Sequence, residues 1–402
     1  MTSSSSRGVV ARMRVLTPSE KLDWLQLVRS AGIGPIGCRK LLDRLGTARR
    51  VLDALPGMIA AGTAANVVLC PREDAARELV ALDTAGAALL AHHDPDYPSR
   101  LREIPDPPPV LTVLGAASRL AGPAVALVGA RNASGNGRRF ARRLAAELAE
   151  AGLVVVSGLA RGIDAAAHEG ALDGGGATVA VIASGVDVAY PEENAALMAR
   201  IAGQGAVVSE RPLGAAPRAK DFPRRNRIIS GLALGVVVVE AAPRSGSLIT
   251  AELAAEQGRE VMAVPGTPLD PRHRGTNQLL RNGAQLVESA ADVLEILRPL
   301  LATPRAVVPR QQPAAFRRAA TPAPAAAPER AGTPVAAPPA PAAVDGLAAS
   351  LRARLGPEPV ALDELIRDCA TSAALMQAAL LELELDGRIE RHPGNLVSLR
   401  LD

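Results

Sequence analysis

Between residues 124 and 264 the chain alternates short apolar runs with longer segments whose apolar residues recur at helical spacing. The runs are Ala124–Val128, Leu153–Val156, Ala177–Ile182, Ala206–Val208, Val236–Val239 and Val261–Val264. Each gives way to a loop of small residues and, in most cases, to a helical pattern such as Arg138–Ala151. A strand apolar on both faces has no side that tolerates water, so these runs predict a parallel sheet covered by helices through right-handed crossovers. The fold class expected for 121–302 is therefore α/β, a doubly wound Rossmann-like parallel sheet. Residues 1–120 read as a mainly helical region with a lead-in, and Asp106-Pro107-Pro108-Pro109 and Gly122-Pro123 place the boundary near 120. Residues 303–343 hold ten prolines and almost no large apolar side chains, the composition of an extended, disordered linker. The tail, 344–402, predicts helices near Asp345–Leu355, Leu362–Asp368 and Thr371–Leu385, then a hairpin through Arg388–Arg391 and Leu396–Leu399.

Charge changes this picture only locally. The chain of 402 residues carries 45 basic and 41 acidic residues, a net charge of +4. The linker's Arg305, Arg310, Arg317, Arg318 and Arg330 against Glu329 account for that whole surplus. An argument for a polyanionic partner must rest on clusters. The aromatic residues are Trp24, Tyr97, Phe140, Tyr190, Phe222 and Phe316, a scarcity that argues against a surface holding bases on several rings. Cys38, Cys70 and Cys369 form no CxxC pair and the five histidines no HExxH, so neither metal, disulfide nor cofactor is expected. Met1–Lys21 has no apolar stretch of signal length, and Gly231–Ala242 is too short to span a bilayer; the reading is a cytoplasmic protein without a membrane span.

Open parallel sheets bind ligands beyond the carboxyl ends of their strands. Five loops there combine glycine with hydroxyl or cationic residues: Gly129–Gly137, Ser157–Asp164, Ser184–Asp187, Arg244–Ser247 and Pro265–Thr267. Any one is explained as a tight turn; together they point to a phosphate-bearing ligand. GxGxxG and GxxxxGK[ST] are both absent, which argues against a dinucleotide cofactor and a Walker-type ATPase. Lys220, Arg224, Arg225 and Arg227 place four cations within eight residues at a helix start, Arg131 follows the first strand, and Arg272, His273 and Arg274 follow the last. Such a row could track a polyanion longer than one nucleotide. The alternative for Arg224 and Arg227 is a solvated, salt-bridged face; Arg142 and Arg143, beside Glu147 and Glu150, read as solvated helix residues. His168, four residues after Asp164, reads as a structural pair. Glu210 and Glu240 end strands and could accept hydrogen bonds or act as bases, but neither has a nucleophile beside it, so no catalytic residue is expected.

In order, the motifs are Tyr97-Pro98-Ser-Arg-Leu101, Pro107-Pro108, Val128-Gly129-Ala-Arg131, Ser157-Gly158-Leu-Ala-Arg-Gly162-Ile-Asp164 through His168, Tyr190-Pro191 and Ser209-Glu210. They continue through Phe222-Pro223-Arg-Arg225-Asn226-Arg227, Val239-Glu240, Ser245-Gly246-Ser247 through Ala251, Pro265-Gly266, Gly275-Thr-Asn277 and Gly283-Ala284. This series, over about half the chain, resembles the DprA or Smf family. The resemblance implies a non-enzymatic protein, usually a homodimer, that binds and shields single-stranded DNA and helps load RecA during natural transformation and recombination. It implies that Arg131 and the Arg225-Asn226-Arg227 group hold phosphates, and that Gly129, Ser157, Gly158 and Ser245-Gly246-Ser247 supply backbone and hydroxyl contacts. Lys220 and Arg224 join this candidate DNA-binding set. Ser30–Leu42 resembles a helix-hairpin-helix of a SAM-like region, with a plain helical turn as the alternative. The tail resembles a winged-helix domain; its third helix carries Glu382, Glu384 and Asp386, so a protein contact is expected of it rather than major-groove reading. The rival is a lysine-decarboxylase-like phosphoribohydrolase. Glu252 would then hold its catalytic position, although Pro243–Glu252 lacks that family's double glycine.

Overall fold

The computed structural model describes residues 14–302 and a subset of positions between 351 and 399. The expected linker, 303–343, lies outside the described residues, as do Glu382, Glu384 and Asp386. Residues up to Ala319 form one compact unit and Ala320–Asp402 a second.

The first unit begins with four helices, α1 (Pro18–Arg29), α2 (Pro35–Leu45), α3 (Ala48–Ala60) and α4 (Arg72–Thr84). Thr17 and Glu20 close a reciprocal capping box at the start of α1, with Pro18 in its first turn. Between α1 and α2 the chain turns at Gly32, whose φ is +83°. A Cβ there would collide with the Asn66 carbonyl, so only glycine allows the turn to sit against 66–68.

A nine-stranded sheet follows. Its strands are β1 (Ala87–Ala91), β2 (Val110–Gly115), β3 (Ala124–Val128), β4 (Val154–Ser157), β5 (Thr178–Val181), β6 (Ala206–Ser209), β7 (Gly235–Val238), β8 (Glu260–Ala263) and β9 (Gln285–Leu286). The order is β1-β2-β6-β5-β4-β3-β7-β8-β9. The seven strands from β6 to β9 in that order run parallel, as the uninterrupted apolar runs predict. Two strands that precede residue 120 also belong to this sheet: β1 pairs antiparallel with β2, and β2 antiparallel with β6, setting Thr112 opposite Ser209. The helical region and the sheet therefore meet without a break near 120.

The connecting helices are α5 (Ser99–Arg102), α6 (Gly135–Glu150), α7 (Ile163–Asp173), α8 (Ala195–Gln204), α9 (Asp221–Leu232), α10 (Gly246–Glu256), α11 (Arg274–Arg281) and α12 (Ala290–Ala302). Alternate residues of β3 serve opposite faces. Val125 and Leu127 pack with Leu144 and Leu148 of α6, Ala167 of α7 and Leu297 of α12. Ala124, Ala126 and Val128 pack with Ile228 and Leu232 of α9 and Ala254 of α10. A third core joins Trp24, Leu27 and Leu55 to Met198 and Ile201 of α8, fastening the N-terminal helices to the sheet. Among the described residues no helix is long and apolar enough to cross a membrane.

In the second unit, β10 (Val360–Ala361), β11 (Ile389–His392) and β12 (Leu396–Leu399) form an antiparallel sheet in the order β10-β12-β11. Leu365, Met376, Leu380, Leu383, Ile389 and Val397 fill its core.

Candidate nucleic-acid interface

β3 and β7 are neighbours, yet the chain leaves them towards opposite halves of the sheet: β3 leads to β4, β5 and β6, and β7 to β8 and β9. Their carboxyl ends flank the crevice where a doubly wound fold takes its ligand. On one side α6 begins at Ser134, whose hydroxyl oxygen accepts the Gly137 N–H at 2.8 Å. The position an anion would take at this helix end is already filled. The Glu240 carboxylate, 1% exposed, accepts the Ser134 N–H at 2.9 Å and the Ser134 hydroxyl. A Cβ on Gly137 would run into that carboxylate. A nucleotide phosphate placed there would have to displace a buried, hydrogen-bonded charge. Gly129 is tight for a related reason, its α-carbon facing Ile163 and the Glu240 carbonyl.

The cations of α9 divide by depth. Arg225 is 5% exposed, donates from Nη1 to the Val181 carbonyl at 2.9 Å, and lies against Asp164. Burial lowers its guanidinium to about 10, with Asp164 opposing the shift and Arg131 adding to it. Gly158 makes room for it, since a Cβ would overlap the guanidinium. Arg227 is 4% exposed and paired with Glu210 and, at 3.2 Å, with Asp106. Asn226 donates to the Gly246 carbonyl at 3.3 Å and ties α9 to the start of α10. Arg225 and Arg227, both expected to hold phosphates, turn inward: Arg225 bonds the Val181 carbonyl and Arg227 pairs with Glu210 and Asp106, while Arg225 Nε and Arg227 Nη1 have no hydrogen-bond partner among the described residues. Ser157 is fully buried, its hydroxyl donating to the Leu127 carbonyl at 2.6 Å. Arg224 and Lys220 face solvent, Arg224 with its Nε 3.8 Å from Glu210.

Arg131 is exposed, and its guanidinium carbon sits 5.1 Å from the centre of the Phe222 ring. Tyr190 also meets this ring, its ring centre 5.6 Å from that of Phe222 at 54°. Two of the chain's few aromatics therefore meet beside an exposed strand-end arginine. Composition hid this pair, because a low total says nothing about convergence. The available signal was that Tyr190-Pro191 follows β5 and Phe222-Pro223 opens the helix that follows β6. Across the crevice Ser245 caps α10, accepting the Ser247 N–H at 3.4 Å, and its hydroxyl lies 2.7 Å from that of Ser247, with Gly246 exposed between them.

The groups that could suggest catalysis are sealed in. Asp164 accepts N–H bonds from Gly158 at 3.2 Å and Ala160 at 3.4 Å, and burial pushes its carboxyl up. His168 is fully buried with Nδ1 2.7 Å from the Thr178 hydroxyl, which gives its own proton to the Val155 carbonyl. The imidazole must therefore carry its proton on Nδ1 and donate it. Burial lowers its pKa to about 3, with Arg225 adding to the shift. His168 is partnered by Thr178 rather than by Asp164, and is structural. Glu252 is exposed on α10.

Three family models match the chain: one described as DprA-like N-terminal HHH domain over 18–81, one as DNA recombination-mediator protein A over 88–298, and one as DprA winged helix domain over 335–395. Protein Smf of Synechocystis sp. is 37% identical over 316 residues, 76% of this chain and 78% of that protein. The chain belongs to the DprA/Smf family. The DprA of Streptococcus pneumoniae is 48% identical over 201 residues, 50% of this chain and 71% of that one. The X-ray structure of a DprA from the same species matches with a TM-score of 0.59 and 35% identity, covering 70% of this chain and 98% of that one. Not every motif that carries DprA likeness belongs to the crevice. Tyr97 is buried with its hydroxyl donating to the Pro108 carbonyl at 2.8 Å, and Leu101 fills the core, so the first motifs hold the lead-in to α9 and the sheet.

Proposed function

We propose that this chain is a cytoplasmic, non-catalytic protein that binds single-stranded DNA along the rim of the β3/β7 crevice. One observation carries the reading: exposed Arg131 stands against the Tyr190–Phe222 ring pair, with Lys220 and Arg224 exposed at the start of the same helix that bears Phe222. Cations that track a backbone, beside rings that take base faces, suit a strand whose bases are unstacked. A duplex keeps its base faces inside. The exposed Gly246 and the Ser245–Ser247 hydroxyls add donors on the opposite side. Family membership supports the remainder of the proposal, namely shielding of incoming strands and RecA loading in transformation and recombination. A homodimer belongs to the same reading, for which Leu286 on the edge strand β9 and Leu300 and Leu301 on α12 offer exposed apolar surface. The linker 303–343 then tethers the winged-helix unit.

Fluorescence anisotropy with single-stranded and duplex oligonucleotides over a salt series tests this. Tighter, salt-dependent binding of single strands of every sequence is expected, followed by RecA filament formation on the bound strand. Arg131→Ala should weaken all single strands alike and reduce the log–log salt slope by about 0.7. Equal affinity for duplex, or an unchanged slope in the variant, would overturn the assignment.

A further inference from the structure

Beside the crevice, α6 and α7 enclose a cavity of about 410 Å³ lined by Arg138, Arg139, Arg142, Arg161, Glu169 and Glu193 among others. Its four arginines are not equivalent. Arg161 is held by Glu193 through two hydrogen bonds of 2.8 Å, and Arg142 is held by Asp173 and, at 3.4 Å, by Glu169. Arg138 and Arg139 have no carboxylate partner among the described residues. Arg138 reaches only the Ala133 carbonyl, at 3.4 Å, and Arg139 only the Asn136 side chain. The cavity therefore keeps uncompensated positive charge where its neighbours have been neutralised.

The cavity also continues the crevice. Gly162, on its wall, adopts a φ of +76° and packs directly on the carbonyls of Ala130 and Arg131, where a Cβ could not fit. Gly162 thus joins the cavity wall to the backbone of the loop that carries Arg131.

We propose that this cavity is a second backbone subsite, taking a phosphodiester group of a single strand after it has passed the β3/β7 crevice. Arg138 and Arg139 supply the charge, and Glu193 occupies Arg161 in competition with the phosphate. The proposal rests on the single-strand reading above, but uses residues which that reading does not. A phosphodiester arriving at the cavity exchanges a solvent-exposed ion pair for a charge-assisted hydrogen bond with Arg161, so removing Glu193's charge should favour binding.

The test measures anisotropy of the full chain with oligothymidylates of increasing length, from about four to about 20 nucleotides, at several salt concentrations. Arg138→Ser/Arg139→Ser should leave the affinity for the shortest strands that bind unchanged. It should weaken the long ones several-fold and lower their log–log salt slope by about 0.7 for each phosphate that is no longer neutralised. Glu193→Gln should do the reverse, tightening long strands and leaving short ones alone. Since these side chains are exposed, matched far-ultraviolet circular dichroism spectra confirm that the variants are folded. Equal weakening at all lengths, or long-strand slopes that match the wild type, overturns the subsite while leaving the crevice reading intact. Failure of the wild-type chain to bind any single strand removes both.

Discussion

The carboxyl edge of this sheet carries two populations of side chains that stand close together in sequence and behave oppositely in space. The inner set, Ser157, Asp164, His168, Arg225, Arg227 and Glu240, is buried and bonded to the fold. The outer set, Arg131, Tyr190, Lys220, Phe222 and Arg224, lies at the rim with its charge or ring face accessible. Arg224 and Arg225 are adjacent residues on opposite sides of this division. Charge density along the chain thus locates a functional edge, but burial decides which charges hold the edge together and which can meet a ligand.

The sharpest way to break this division is Arg225→Ala. Removing the guanidinium leaves Asp164 buried without its counter-charge and the Val181 carbonyl without its donor, so stability should fall by about 3–5 kcal/mol. Urea unfolding followed by far-ultraviolet circular dichroism measures this. Wild-type stability combined with abolished DNA binding would move Arg225 to the outer set. Phe222→Ala should act on the other side of the division, weakening single-strand affinity by about 1–3 kcal/mol irrespective of sequence, with the fold retained. Undiminished affinity would show that Arg131 works without the ring beneath it.

Acid should act on the inner set through His168. In the folded chain His168 has a pKa depressed to about 3 from an ordinary value of 6.5, so as pH falls the unfolded chain takes up the proton first. Its contribution to stability is complete above about pH 6.5 and is lost progressively as the pH falls towards 3. Within that window the slope from this one site approaches about 1.4 kcal/mol per pH unit. Unfolding midpoints at pH 7.0, 6.0 and 5.0 (chosen to bracket about 6.5) should show His168→Gln with a shallower decline than the wild type. Identical declines would mean that His168 is not the group responsible.

The parallel strands were readable because five runs such as Ala124–Val128 have no polar residue to place in water and a sixth, Ala177–Ile182, has only Thr178, and that property survives in one dimension. β1 and β2 were missed because their pairing is antiparallel and distant: Thr112 meets Ser209 across nearly a hundred residues, and no local turn announces it. The position of the crevice followed from the topology and the glycine loops. Its working residues did not follow in full, since Arg225 and Arg227 look like any exposed basic pair until α5, α10 and the sheet enclose α9. The Tyr190–Phe222 pair was invisible for the complementary reason, as a loop residue and a residue at the start of α9 become a surface only when the fold brings them together.

The Glu240 carboxylate at the start of α6 has a consequence for competition. Many sheets of this kind leave that helix end vacant, and any small phosphate in the surrounding solution can then contend with the intended ligand for it. Here the tenant is covalently part of the chain and its local concentration never falls. Free nucleotides consequently have no foothold deep in the crevice, however abundant they are. Only a ligand that gains its affinity by lying across several shallow sites at once is well matched to what remains.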